Sequence, residues 1–549
     1  MKKTIIILRS TIAITLTIIM MSLMSCEDLL TVDSNRYVTV DEHDLSSAND
    51  SVSSILGLLT GMQKVAERYV LLGEMRADLL DVTESTVSDI RQLSTYQVDQ
   101  NNQYADPRDY YALINNCNYF ISKTSAANSP LKNENALAHT IRAWTFMQIA
   151  THWGKVSYCT APLLTVEDTQ KEYPVLQIEQ LLDSLISDLE PFLLSQYPNY
   201  GVINGFASAR LFIPVKLMLA ELHLWRGNNV SDFETAANYY AEILGSRYSG
   251  ASISEPPSIR WSYNNFVLQN FDIASPINSW TSSTVAKSDN QEVVSVITMP
   301  IDASEGIINT IPLKYEEFAA SDVVNDLWDQ QKYVLKNSTG LTYELLTTTG
   351  DLRKKGNSIG TSTYADGTSF SVLAKVYNSS NVMLYRRALL LLRLAEALNR
   401  SGKPHTAFAV LKYGLKPLTF STPSKIPSWE LVNTGTYYTI FNDDKYELMT
   451  GIHARGCGDI DLDADYSIEA FKDESQDTIQ WVENAIFSEL ALETSFEGNR
   501  FGDLVRIALR RDDPAFLAKN IAVKHTNDYI RIFNLLSSDT KNWYLPDPK

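Results

Sequence analysis

Three glutamates, Glu489, Glu493 and Glu497, recur every fourth residue, a spacing that sets them in one stripe of a helix. Paired carboxylates are the groups of glycoside hydrolysis, one donating a proton while the other attacks the sugar or activates water. The same stretch continues into Arg500, Asp503 and Arg506, so buried ion pairs fixing the last helix against its neighbours are the stronger expectation, and no catalytic residue is assigned. Asp459, Asp461, Asp463 and Asp465 alternate after Gly456-Cys457-Gly458. Carboxylates so close repel unless they are solvated or bridged by a cation. The run resembles a calcium loop only loosely, with Ala464 where the loop needs Gly and Ala470 where it needs Glu; no metal and no cofactor is assigned. The 7 histidines form no HExxH or His-x-His pair, His139 and His152 read as packed or surface residues, and there is no GxSxG elbow.

What remains is a surface for recognition. Sugar rings present C–H faces that pack on Trp and Tyr, with Asn, Asp and Arg meeting the hydroxyls at the rim. The candidate ligand-binding residues are Trp261, Tyr263 and Trp280, together with Arg76, Asp78 and Tyr96 from an early polar stretch, 73–102, that reads as surface. Each ring fits the core as well as it fits a ligand.

The elements that position these residues are written in a repeat. Residues 220–244 and 395–414 both place Ala-Glu before a leucine-rich helix end, then Gly227 or Gly402, then a second Ala-spaced helix. Ala220, Ala236, Ala395 and Ala407 allow close antiparallel crossing, and the glycines supply the left-handed turn. The second copy has the spacing of a tetratricopeptide repeat, a unit that cannot bury its apolar face alone and so requires stacked neighbours. Helices are also expected over 51–70, 110–122 and 134–153, the last apolar nearly all round and therefore interior. The predicted fold is mostly α: a tetratricopeptide-like scaffold of helical hairpins, with loop-rich insertions near 246–311 and 345–380 and a few short strands, one at 291–297.

The chain has 549 residues, a net charge of -18 and 28 tyrosines. Its acidic balance and lack of any Lys/Arg cluster exclude nucleic acid as a partner. Lys2, Lys3 and Arg9 open an uncharged apolar run that closes on Leu23-Met24-Ser25-Cys26, the form of a secretory signal peptide. It resembles the lipoprotein type, in which residues 1–25 are removed and Cys26 becomes the lipid-bearing first residue. Residues 26–50 then read as a tether and 51–549 as one domain. Cys117, Cys159 and Cys457 form no CxxC, so at most one disulfide is expected and buried thiols are the default.

Several segments resemble one family. Arg142-Ala143-Trp144 with His152-Trp153-Gly154-Lys155-Val156, Leu391 to Leu398 (LLRLAEAL), and Phe496 to Arg506 (FEGNRFGDLVR) are similar, in order, to motifs of the SusD/RagB nutrient-binding lipoproteins. Glu27 and Asp28 after the cysteine resemble the surface-export signal of Bacteroidetes lipoproteins. The resemblance implies an outer-membrane, lipid-anchored protein that captures glycans without chemistry and delivers them to a SusC-like TonB-dependent transporter. The alternatives are a peptide-binding member of the same family and a lipid-anchored glycosidase.

Overall fold

Apolar residues at helical spacing seat the first helix, α1 (Ala48–Glu74), whose inner face carries Ile55, Leu58, Met62, Val65 and Tyr69. It outruns the expected 51–70 because its last residue, Glu74, is bonded from the interior rather than released to solvent. The structure is a computed structural model, and it describes residues 48–125, 129–245, 286–288, 290–339, 342–354, 360–363, 367, 369–373, 375, 379–471 and 477–546. Cys26, Trp261, Tyr263 and Trp280 lie outside the described residues.

Helices α2 (Ser88–Thr95), α3 (Arg108–Thr124), α4 (Lys132–Trp153) and α5 (Ile178–Leu189) follow. Nearly every residue of α4 is buried, as its all-round apolar pattern predicts, and it ends at Gly154 in the left-handed conformation (φ 75°). The first copy of the repeat is α6 (Val215–Arg226), Gly227 (φ 46°) and α7 (Val230–Gly245). After α8 (Asp322–Asp329), the second copy is α9 (Arg387–Arg400), Gly402 (φ 85°) and α10 (Pro404–Lys412). Ala220, Ala236, Ala395 and Ala407 are all fully buried. Helix α7 of the first copy packs on α9 of the second as closely as on its own partner, so the two pairs stack as a repeat must. The chain closes with α11 (Thr478–Thr494), α12 (Arg500–Arg511), α13 (Pro514–Ala522) and α14 (Tyr529–Ser538).

The described strands form two-stranded antiparallel pairs. The expected strand at 291–297 is Val293–Ile297, wholly buried and paired with Val382–Arg386. A hairpin of Lys332–Thr339 and Thr342–Thr349 was not expected; the sequence reading begins its irregular stretch later, at 345. Leu80–Val82 pairs with Phe318–Ala320, tying the early polar stretch to the segment that follows the first insertion. No helix among the described residues is long and apolar enough to cross a membrane, and Cys117, Cys159 and Cys457 are free thiols.

Candidate functional site

The sequence candidates Arg76 and Asp78 are interior, not surface. The stretch after α1 is drawn inward by the turn before α12. Glu74 accepts from the backbone N–H groups of Phe496 (3.1 Å), Gly498 (2.7 Å) and Asn499 (3.1 Å). Asp78 takes Arg500 in a bidentate pair, both bonds 2.7 Å, and the Arg500 guanidinium lies 3.7 Å over the Phe487 ring. Arg76 stacks 4.2 Å over Phe501, bonds the Trp543 carbonyl and donates to His152 Nδ1 at 3.2 Å. Burial lowers Arg76 to about 10, and burial followed by the Arg76 charge holds His152 well below its ordinary value, so His152 accepts as a neutral ring. Tyr96, half-buried in the left-handed conformation (φ 56°), donates its hydroxyl to the Arg76 carbonyl. Polarity here signals partners inside the protein, which correct the expected surface stretch: charges buried without them would be prohibitive.

The glutamate stripe is buried, as expected, but its partners come from elsewhere. Glu489 bonds Arg353 and His453, both at 2.7 Å. Glu493 is shared by Arg353 (2.9 Å), Arg386 (2.8 Å) and Arg455 (2.8 Å). Glu497 takes Arg386 at 2.8 Å through both oxygens and Lys375 at 2.5 Å. Arg506, which the sequence reading offered to the stripe, instead forms a bidentate pair with Glu396 (3.0 and 2.7 Å) and meets Asp503 at 3.0 Å. Burial pushes the stripe's carboxyls up, and the surrounding guanidinium charges reverse it, leaving Glu489, Glu493 and Glu497 below the ordinary carboxylate range. A general acid for glycoside cleavage needs the opposite shift. The stripe is an ion-pair network between α11 and its neighbours.

A bridging cation does serve the aspartate run, and it is a side chain. Lys332 Nζ reaches Asp463 at 2.9 Å and Asp465 at 3.1 Å, while Asp459 accepts the Lys336 N–H at 2.9 Å. Among the described residues no group of three His, Cys, Asp or Glu is placed to hold a metal ion.

The motifs of both repeats and of the α12 start meet at one cavity of about 60 Å³, lined among others by Tyr69, Trp144, Glu221, Trp225, Arg393 and Asn499. Ligand pockets run to roughly 300–1,000 Å³, so this one takes a few waters and no sugar ring. A larger opening, 710 Å³, lies where the end of α3 and the start of α4 face residues 190–196. Thr124, Ser125, Asn133, Asn135, His139 and Gln196 are its polar lining, and Pro191, Phe192 and Leu194 its apolar side. The His139 ring stands 4.5 Å from that of Phe192, tilted by 36°, and its Nδ1 is tied to Asp188 at 2.9 Å. The sequence reading passed over this opening. Asn135 and His139, four apart in α4 and hence on one face, are the signal that was there.

Residues 278–548 match the model of the SusD family. Among solved structures the chain is similar to NanU of B. fragilis, at 17% identity over 88% of this chain and 93% of that one, TM-score 0.52. A SusD homolog from Bacteroides thetaiotaomicron covers 93% of this chain and 96% of its own at 14% identity, TM-score 0.57. A SusD superfamily protein from Bacteroides vulgatus covers 92% and 96% at 14% identity, TM-score 0.56. No curated protein matches. The fold is therefore that of the SusD superfamily along nearly the whole chain. The SusD family match covers residues 278–548, and together with the fold it supports a nutrient-binding role.

Proposed function

We propose that the protein is a surface-exposed outer-membrane lipoprotein that captures a glycan and delivers it to a SusC-like TonB-dependent transporter. Residues 1–25 are its signal peptide, Cys26 carries the lipid, residues 26–50 are the tether and 51–549 form one binding domain. The observation that carries this reading is the SusD family match over residues 278–548, a family of binding proteins in general. The saturated, ionised glutamate stripe supports capture without chemistry, because its carboxylates are already spent on Arg353, Arg386, Arg455 and Lys375. Trp261, Tyr263 and Trp280 remain proposed ligand rings; Arg76 and Asp78 act from the interior by holding the frame that carries the loops.

Incubating the protein with an array of neutral oligosaccharides tests the reading. Reversible binding, with the saccharides recovered uncut, is expected. Cleavage products, or an array that stays blank while a peptide library binds, would defeat it.

A further inference from the structure

The 710 Å³ opening is a built site. Its floor is the first polar turn of α4, where Asn135 and His139 are nearly buried, at 4% and 8% exposure. Asn135 spends its Nδ2 on Thr124 Oγ1 at 2.8 Å and leaves Oδ1 without a hydrogen bond to any described residue. His139 is oriented from behind: Asp188 holds Nδ1, and Arg142 in turn holds Asp188 at 2.8 Å. That arrangement fixes the ring and leaves Nε2 without a hydrogen bond to any described residue. The half-buried Phe192 supplies a flat apolar face against the same ring, while Pro191 and the 87% exposed Leu194 extend the apolar side. Asn133, Gln196 and Ser125 complete the polar walls; Asn133 Oδ1 is pinned to the Gln196 N–H at 3.3 Å.

The lining contains no carboxylate, and its fixed positive charge is the single exposed Lys132. Amides, hydroxyls and an imidazole both donate and accept. An apolar ligand would leave Asn135 Oδ1 and His139 Nε2 facing it unpaired, which is unfavourable. A cation would meet Lys132 and find no counter-charge. Vicinal hydroxyls on one edge and C–H groups on the other face match the two sides of the opening, and its volume falls in the range of small-molecule sites.

We propose that this opening binds a short neutral oligosaccharide, with the sugar's C–H face on Phe192 and its hydroxyls on Asn135 and His139. The assignment rests on the glycan reading above for its ligand class, and it adds a location independent of Trp261, Tyr263 and Trp280.

Isothermal titration of the full mature chain with cellohexaose, xylohexaose, maltohexaose and mannohexaose identifies the neutral probe it binds. Ser125→Trp and Gln196→Trp then fill the opening from exposed or wall positions without entering the core, and His139→Phe removes the nitrogen. Thermal melts keep loss of binding apart from loss of folding. The expected result is affinity at least about tenfold weaker in both tryptophan variants, with unchanged melting. Wild-type affinity in both would overturn the location and leave the glycan reading standing. A wild-type chain that binds none of the four, while other saccharides of the array bind, would overturn this assignment and leave the glycan reading standing. Binding of a peptide library that the tryptophan variants block would overturn the sugar and keep the opening.

Discussion

Arg500 closes two nitrogens on the two oxygens of Asp78, at 2.7 Å each, across 422 residues of chain. Both are buried, so neither charge has water to fall back on. Removing one partner of such a pair costs about 3–5 kcal/mol, because the other stays buried and uncompensated. Asp78→Asn is expected to lower the denaturant midpoint markedly, and Asp78→Asn combined with Arg500→Met to recover part of the loss. A double variant no more stable than the single one would mean that the pair's charges are not what matters at this joint.

That pair also marks where reading the sequence stops. The repeats are legible because each is local: Ala spacing, leucine-rich ends and a glycine turn lie within about one hairpin of each other. Helix α4 is legible because an all-round apolar pattern has one meaning. Arg76 and Asp78 look like a solvated stretch, since the residues that answer them, Trp543 and Arg500, come from the other end of the chain. The glutamate stripe is half legible. Its spacing shows a buried charged face, while the choice of Arg353, Arg386 and Arg455 over Arg500 and Arg506 depends on which helices meet.

Glycine is required at 73 for a reason of space. A Cβ there would lie 2.0 Å from the Gly498 carbonyl oxygen, and backbone cannot step aside as a side-chain tip can. Gly73→Ala must separate α1 from the turn that Glu74 holds, breaking three short N–H bonds to that carboxylate. Overpacking costs about 1–3 kcal/mol before such losses are added. The variant is expected to melt well below the wild type, whereas Gly57→Ala, which meets nothing within 4 Å, is expected to melt at or slightly above it.

Lys332 bridges one buried aspartate, Asp463, and one exposed one, Asp465. Lys332 and Asp465 reach solvent, but Asp463 is buried, so Lys332→Ala is expected to cost about 1 kcal/mol or more, because Asp463 loses its counter-charge. With the ammonium in place the carboxylates have their cation, and millimolar calcium is expected to leave the wild-type melting curve where it is. A calcium-dependent rise in the wild type would show that the ion competes successfully with the lysine.

Two histidines and one buried glutamate set how acid acts on this protein near neutrality. His152 is held well below its ordinary value by burial and then by Arg76, and His525 is lowered to about 4 by burial and then by Lys524. Both are neutral in the fold and take up a proton on unfolding once the pH drops below the free value near 6.5. The unfolded chain then binds more protons, so the histidines' contribution is full above about 6.5 and is lost as pH falls toward 4, by up to about 3 kcal/mol for His525 alone. Glu74, pushed up to about 8 by burial, works the other way and adds stability as pH falls from 8 toward the free glutamate value. The lowered carboxyls Glu483, Glu489 and Glu497 have the histidines' sign but join only below the free glutamate value. Denaturant midpoints measured in steps from pH 8 to pH 4 are expected to rise toward 6.5 as Glu74 takes its proton and to fall below it, and His525→Gln to flatten the upper part of that fall. A midpoint constant down to pH 5 in Glu74→Gln, which removes the one carboxyl of opposite sign, would rule out the histidines as the first acid trigger, because no carboxylate with a lowered value can substitute for them there.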